Sequence, residues 1–449
     1  MKAIILIGKQ KDTSTDSETY EKPHHKMVQD DVDFGQKQNV ISKALTPECI
    51  MHIAMAYASC LPEKAKILLD VSDDSRFMMI KFALLTGLMS TGRKVYNIVG
   101  GGDRNIAKFA LRKLSLEGGI HLEMDEHYLY VELLDKNGVP VDEDVIKKVC
   151  RRVQDKIFCR KSIENMSLPI NISRLALDYF RDTVLTTPNK RLPFRIGVCT
   201  RVSETKEHFK KFGAAFGISL LFTNEPTILP VLIQKNELDF GIYIGPNGKF
   251  GLYDENGQAI GGDVFYALVT LILSSAKSKA RIRMPRHTSA MVDAVSEVCG
   301  SSVCRTKDSD MESLLLKDGT PIARLQHDLC FDPIRAMIRL CEFLHMNQCT
   351  LSYICHLLPT LHTAQEHVEV PEEKTTAIID KIKKQFGKEN RISLGRGIKI
   401  INSKGSVLIV PNTETHSIRV FAESVSEEVA LETVGNICNI IKESTKTKE

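Results

Sequence analysis

The sequence predicts an α/β chain: three α/β units with mixed sheets, followed by a smaller α+β unit. Three observations carry that expectation. Near the N-terminus a strand, a helix and a strand follow one another through short links, the pattern that pairs strands in parallel. Two further stretches repeat a similar order of elements. Beyond about residue 366 the order changes to one helix, several short strands and a last helix.

The opening MKAIILIG is too short for a signal peptide and reads as a strand. Residues 9–31 are polar without apolar periodicity and read as a flexible segment, with order expected from about Val32. Thr46-Pro47-Glu48 is a helix start, and Ile50, Ile53, Ala54 and Tyr57 share one face of that helix. Residues 67–71 form a buried-type strand. Ile80, Leu84 and Leu88 mark a helix that stops at Gly92, and residues 94–98 form the next strand. A helix over 107–114 precedes a hairpin with arms 120–124 and 129–134, and a helix over 141–158 closes the unit.

The second unit opens with a helix near Asn171. It continues as strand 194–198, helix 204–216, strand 218–222, helix 227–235 and strand 240–244. The third has helix 264–273, strand 280–284, helix 289–299, strand 302–306 and helix 333–344. The last has helix 376–386, strands 398–401, 406–410 and 417–421, and helix 427–441. These give a polar segment 1–31 and domains at 32–165, 166–262, 263–365 and 366–449.

A chain of 449 residues is long for one core. With 60 basic and 56 acidic residues, the net charge of +4 implies neither a nucleic-acid nor a membrane partner. No apolar run approaches the roughly 20 residues that span a bilayer. Twelve cysteines without a CxxC pair argue for reduced thiols and a cytoplasmic setting. Cys341, His345, Cys349, Cys355, His356, His362 and His367 lie within core-spaced apolar residues, which reads as helix core, with zinc as the alternative. Lys277, Lys279, Arg281, Arg283 and Arg286 alternate with apolar residues as one solvated strand face. Gly100-Gly101-Gly102-Asp103 follows a strand and precedes a helix, where an anion could dock, but it lacks a nucleotide-loop pattern.

Several stretches resemble the α-D-phosphohexomutases, the phosphoglucomutase and phosphomannomutase superfamily. Phe34-Gly35 with Leu45-Thr46-Pro47-Glu48 resembles that family's opening, and Val71-Ser72-Asp73-Asp74-Ser75-Arg76 its G-R-D-S-R segment. Gly118-Gly119-Ile120 and Leu134-Asp135-Lys136-Asn137-Gly138 bracket the place of its catalytic loop. Arg305-Thr306-Lys307 resembles its R-T-x-V-G-D strand, and residues 407–423 its R-P-S-G-T-E-P-K-L-R phosphate loop. The resemblance covers about 33–443. It implies four domains around a central cleft, and a reaction in which phosphoserine and Mg²⁺ interconvert hexose 1- and 6-phosphates.

Motif by motif, the groups that perform that reaction are missing. Where the family has T-A-S-H-N-P this chain has 123–128, Glu-Met-Asp-Glu-His-Tyr, with no Ser, Thr or Cys to carry a phosphoryl group. Asp125, as an acyl phosphate, and His127, as a phosphoramidate, are the substitutes to weigh against a plain polar turn. The metal loop D-G-D-x-D-R is replaced by 245–250, Gly-Pro-Asn-Gly-Lys-Phe, without a carboxylate. Lys249 puts a cation there, so no metal cofactor is expected unless the chain is an active, Mg²⁺-dependent mutase.

No E-x-S-G-H sugar loop is found. Arg324, Gln326, His327 and Asp328 stand near its place, and a solvated loop is expected. In the phosphate loop Pro411 and Arg419 persist, Asn412 and Thr413 stand for Ser and Gly, and Glu414 adds negative charge. Arg76 persists in the G-R-D-S-R counterpart, where an ion pair near a helix start is the structural alternative. The expectation is a catalytically inactive phosphosugar-binding or regulatory module. An active mutase with a rebuilt site and a structural protein are the alternatives. The first eight residues resemble the first strand of sugar-phosphate nucleotidyltransferases, which suggests a sugar-nucleotide enzyme as partner.

Overall fold

The computed structural model describes residues 5–8, 46–72, 75–124, 128–166, 168–189, 191–245, 248–285, 288–306, 308–359, 361–385, 391–394, 397–402, 405–412, 417–424 and 426–446. The polar stretch 9–31, Asp125, His127 and Thr413 lie outside them. The chain divides into two compact units, Met1–Ala259 with His327–Gln348, and Ile260–Gln326 with Cys349–Glu449.

In the first unit six strands form a mixed sheet: β1 Ile5–Gly8, β2 Lys66–Val71, β3 Lys94–Ile98, β4 Gly118–Met124, β5 Tyr128–Asp135 and β6 Ile170–Ile172. Their order is β1-β5-β4-β2-β3-β6, with β2 parallel to both β3 and β4, as the βαβ pattern requires. Thr46 caps helix α1 (Pro47–Cys60), its hydroxyl accepting from the Cys49 N–H at 3.2 Å. Helix α1 buries Ile50, Ile53, Ala54 and Tyr57 together with Ile67, Leu69 and Val71 of β2 and with Leu84 and Leu88 of helix α2 (Met78–Ser90). Helices α3 (Arg104–Lys113) and α4 (Glu143–Gln154) follow.

One expectation fails here. Asn171 lies on β6, which extends the first sheet alongside β3, and its side-chain oxygen accepts from the Asn97 amide at 2.8 Å. Helix α5 starts only at Leu175 and runs to Thr186. A polar-flanked run of three residues is too short to announce a strand by alternation.

The second sheet holds β7 Arg195–Cys199, β8 Ser219–Thr223, β9 Phe240–Ile244 and β10 Phe250–Tyr253, ordered β10-β9-β7-β8. Helices α6 (Ser203–Phe216) and α7 (Leu229–Lys235) link its strands. Gly217 ends α6 in the left-handed conformation (φ 73°).

In the second unit, helix α8 (Gly262–Ala276) precedes parallel strands β11 (Arg281–Pro285) and β12 (Ser302–Thr306), with α9 (Met291–Val298) between them. Helices α10 (Asp308–Asp318) and α11 (Pro321–Phe331) come next; from His327 to Gln348, which includes α12 (Pro333–Asn347), the chain belongs to the first unit. Residues 317–328 are therefore helical apart from a short link, not the solvated loop expected. Thr320 supplies the start, its hydroxyl accepting from Ala323 N–H at 3.3 Å and its carbonyl from Arg324 N–H at 2.9 Å.

Helix α13 (Leu351–Leu357) leads to β13 (His362–Glu369) and α14 (Glu372–Gln385), and then to β14 (Arg391–Leu394), β15 (Gly397–Asn402), β16 (Gly405–Asn412) and β17 (Ser417–Ser424). Helix α15 (Glu427–Lys446) ends the chain's described part. The five strands form an antiparallel sheet, β13-β17-β16-β15-β14. Ile379, Ile382, Ile409, Val420, Ile437 and Ile441 fill the core between it and the helices.

Candidate functional site

Two polar regions stand out, one in each unit. In the first unit, β2 and β4 run parallel with Asp70 opposite His121, and the two side chains meet at 2.7 Å (Oδ2 to Nδ1). The other Asp70 oxygen accepts from the Gly102 N–H at 2.8 Å. A Cβ on Gly101 would fall 2.4 Å from that oxygen, so the glycine run serves close approach of the backbone to Asp70.

The next residue, Asp103, caps α3 through the N–H groups of Asn105 (2.8 Å) and Ile106 (3.4 Å). Its second oxygen accepts from His208 Nδ1 of α6 at 2.8 Å. Burial alone would raise the Asp103 carboxyl, but His208 and the two amides hold it below its ordinary value. Burial acts against the charged His208, and Asp103 outweighs it, so the imidazole titrates above its usual value. The helix N-terminus is thus closed by the chain's own carboxylate, and the anion-docking reading of the glycine run falls away.

Across β4, His121 stands opposite Glu132 of β5. Glu132 takes a two-pronged bond from Arg104, 2.6 Å at Nε and 2.6 Å at Nη2. Both side chains are buried, at 6% and 3% exposure. Burial would raise the Glu132 carboxyl, yet Arg104 keeps it depressed. Asp70 and His121 are 0% and 2% exposed, so this network positions the strands rather than touching a substrate.

The β4–β5 hairpin stays in register through Met124 opposite Leu129. Between β9 and β10 the Gly245 N–H donates to the Lys249 carbonyl at 2.7 Å. Lys249 is exposed. Gly248 has φ 63°, and a Cβ there would lie 2.7 Å from Arg104 Nη1. The donor chemistry does not fit a divalent metal. The segment 245–250 has no carboxylate, and a guanidinium faces its backbone. Among the described residues no group of three or more His, Cys, Asp or Glu side chains is placed to hold a metal ion, including those of the Cys/His-rich stretch.

In the second unit, alternation sets the open face of the C-terminal sheet. His367, Arg419 and Val410 lie side by side in one row, and Gln365, Phe421 and Leu408 in the next. With Glu366 and Val420 they line a groove of about 680 Å³. His367 and Arg419 are exposed above an apolar floor. Further along the same face Lys399 is buried, its Nζ donating to the Thr288 carbonyl at 2.6 Å and lying 4.0 Å from Glu423 Oε2. Burial lowers the Lys399 ammonium, opposed by Glu423. Glu423 accepts from the Ala290 N–H (3.1 Å) and the Ser406 hydroxyl (3.0 Å). Arg305 bonds the Thr288 carbonyl at 2.8 Å and reaches Asp293. These contacts fix the sheet face against residues 288–293.

Arg419 is thus the sequence candidate that reaches a groove. Asn412 ends β16 opposite Ser417, beside that groove's row. Arg76 falls in a single 3₁₀ turn, Ser75–Phe77. Arg324 is exposed on α11, and His327 is 7% exposed and packs against Phe331 at 5.7 Å between ring centroids. Gln326 accepts from Arg283 N–H of β11 at 3.2 Å. Asp328, pushed up by burial, meets Arg335 and Arg339. This cluster is helix packing, which corrects its reading as a solvated loop.

The sequence reading missed Asp70, Asp103, Arg104, His121, Glu132, His208 and Lys399 as a polar framework. A signal existed for two of them. His121 sits in Ile-His-Leu and Glu132 in Val-Glu-Leu, polar residues inside apolar strands that need buried partners. His367 was noticed only within the Cys/His-rich stretch.

These sheets and their connections define a multi-sheet α/β fold. Residues 33–159 match the family model for phosphoglucomutase/phosphomannomutase, alpha/beta/alpha domain I. A phosphoglucomutase/phosphomannomutase of Thermococcus kodakarensis is 23% identical, over 92% of this chain and 98% of its own length. A phosphoglucosamine mutase of Thermodesulfovibrio yellowstonii is 21% identical, over 88% and 94%. The crystal structure of a phosphoglucomutase/phosphomannomutase family protein from Burkholderia thailandensis superposes with a TM-score of 0.71 at 16% identity, covering 92% of this chain and 96% of that one. Residues 33–159 thus resemble one domain of the phosphoglucomutase/phosphomannomutase family, and the chain shares its fold with a protein of that family. Among the described residues no helix is long and apolar enough to cross a membrane.

Proposed function

We propose that this chain binds phosphosugars without moving a phosphoryl group, as a binding or regulatory member of its family. One observation carries the proposal. The hairpin that resembles the family's nucleophile position is paired through Met124 and Leu129, and residues 123–128 there are Glu, Met, Asp, Glu, His and Tyr. A phosphoryl carrier needs a nucleophile held in line with phosphorus, and these residues supply no hydroxyl of Ser or Thr and no thiol. The groove on the C-terminal sheet supports retained binding. Arg419 offers a guanidinium beside His367, and Leu408, Val410 and Phe421 form a floor suited to a sugar face.

The test is calorimetric titration of hexose 1- and 6-phosphates into the full chain, run beside a coupled assay with Mg²⁺ and a bisphosphate primer. The relatives' names direct the choice of glucose, mannose and glucosamine phosphates. Binding without turnover is expected. A ligand at 100 times its dissociation constant adds roughly 2.7 kcal/mol of stability, visible as a melting shift. Arg419→Met removes charge-assisted bonds of about 1.5–3 kcal/mol and weakens binding about 10- to 100-fold. Turnover that is lost in Asp125→Ala or His127→Ala would establish an active mutase instead. Absence of any shift across these ligands would leave a structural protein.

A further inference from the structure

We propose that the phosphosugar taken by the groove of the C-terminal sheet is a sugar nucleotide, its base lying on Phe421 and its diphosphate held by Arg419 and His367. The inference rests on the proposed function, since it names the ligand class of the same groove. Strand register sets two rows on the open face. Gln365, Phe421 and Leu408 stand abreast in one, and His367, Arg419 and Val410 in the other. Neighbours within a row are about 5 Å apart, and the rows are roughly 7 Å apart along the strands. One row thus offers an amide, an aromatic ring and an aliphatic wall. The other offers an imidazole and a guanidinium side by side.

Charge places the phosphates. Glu366, the carboxylate among the described lining residues, is already matched by Lys442 at 3.0 Å. Among the described residues no hydrogen bond or ion pair engages Arg419, which is exposed in the groove. A guanidinium left open in this way holds phosphate oxygens by paired bonds. Apolar surface lies next to that charge, with Phe421 half-buried and Val410 38% exposed. Bases are held by stacking on such a ring, whatever the base. The Gln365 amide, abreast of the ring, has both a donor and an acceptor for the base's edge. On the far side of Leu408 the face is closed, where Lys399 is buried against the Thr288 carbonyl. Size agrees. A groove of about 680 Å³ exceeds what one hexose phosphate fills and suits a larger ligand.

Calorimetric titration of the full chain with UDP-glucose, GDP-mannose, UDP, GDP, glucose 1-phosphate and mannose 1-phosphate tests it. UDP-glucose or GDP-mannose should bind about tenfold or more tightly than its hexose 1-phosphate, the effect of one stacked base. Phe421→Leu should erase that margin and leave the hexose 1-phosphate affinity unchanged. Hexose 1-phosphates that bind as tightly as the sugar nucleotides would overturn this inference and leave the proposed function standing. Binding of none of the six would end both. UDP and GDP that match the sugar nucleotides would also overturn it, because the sugar would then go unread. Should Phe421→Leu lower stability, saturation-transfer NMR of UDP-glucose on the natural chain decides. The strongest transfer is expected at the uracil protons, and strongest transfer outside the base would overturn the inference.

Discussion

Replacing His208 by Gln should weaken the first unit in a pH-dependent way. Asp103 uses one oxygen to cap α3 and the other to accept from His208 at 2.8 Å. Asp103 is 2% exposed and His208 12%. A bond to a buried charged group contributes about 1.5–3 kcal/mol, and Gln can restore only a neutral donor, so a loss of about 1–2 kcal/mol is expected. At roughly 2–4 °C per kcal/mol for domains of 150–250 residues, this is a drop in melting temperature of several degrees.

The sign of the pH effect follows from both partners. Burial acts against the charged imidazole, but Asp103 outweighs it, helped by Asp70 and opposed by Lys211, so the folded value is raised above 6.5. That contribution is full below 6.5 and fades as pH rises through the raised value. For Asp103, burial is overcome by His208 and the cap amides, and the folded value is lowered below 3.8. That contribution is present above 3.8 and fades only as pH falls through the depressed value. The melting difference between the natural chain and His208→Gln should therefore be widest between about pH 4.5 and 6.5 and narrow toward pH 9. Scanning fluorimetry across that range reads it. A difference that is constant with pH, or that widens on the alkaline side, would refute the reasoning.

Other perturbations have equally definite outcomes. Tyr179 is buried and its hydroxyl donates to both Asp332 oxygens at 2.8 Å, so Tyr179→Phe strips a carboxylate of a donor and should cost about 1–3 kcal/mol in thermal melts. Gly248→Ala meets both a left-handed φ and the Arg104 guanidinium and should lower stability by about 1–2 kcal/mol, whereas Gly251→Ala, with open space around it, should cost less. Lys399→Met leaves the Thr288 carbonyl and Glu423 without their buried ammonium and should destabilise the second unit by about 1–3 kcal/mol, read by exchange at residues 288–293.

The framework of this protein was legible because its signals are local. Thr46-Pro47 announces α1 through a cap, and the apolar runs 67–71 and 94–98 announce parallel strands. The same Thr-Pro signal at Thr320-Pro321 begins α11, in a stretch whose polar residues read as a solvated loop. Strands β13 and β14 escaped notice for another reason. His362–Glu369 has buried residues only at Ala364 and Val368, so its alternation is thin, and Arg391–Leu394 is four residues long. The polar framework was illegible because its partners are far apart in sequence. Asp70 meets His121, Arg104 meets Glu132, and Asp103 meets His208, each brought together only by strand register or helix packing. The proposed loss of phosphoryl transfer, by contrast, needs no geometry. It follows from residue types at 123–128 and 245–250. Geometry added Arg104 beneath the second of these segments, and with it a physical reason for the glycine at 248.

The proposed function requires that residues 118–135 accept no phosphoryl group. Incubating the full chain with a hexose 1,6-bisphosphate and Mg²⁺, then weighing the intact protein, tests that most directly. An unchanged mass is expected, with no phosphopeptide among the fragments covering 118–135. One added phosphoryl group, appearing there and discharged by hexose 6-phosphate, would contradict it.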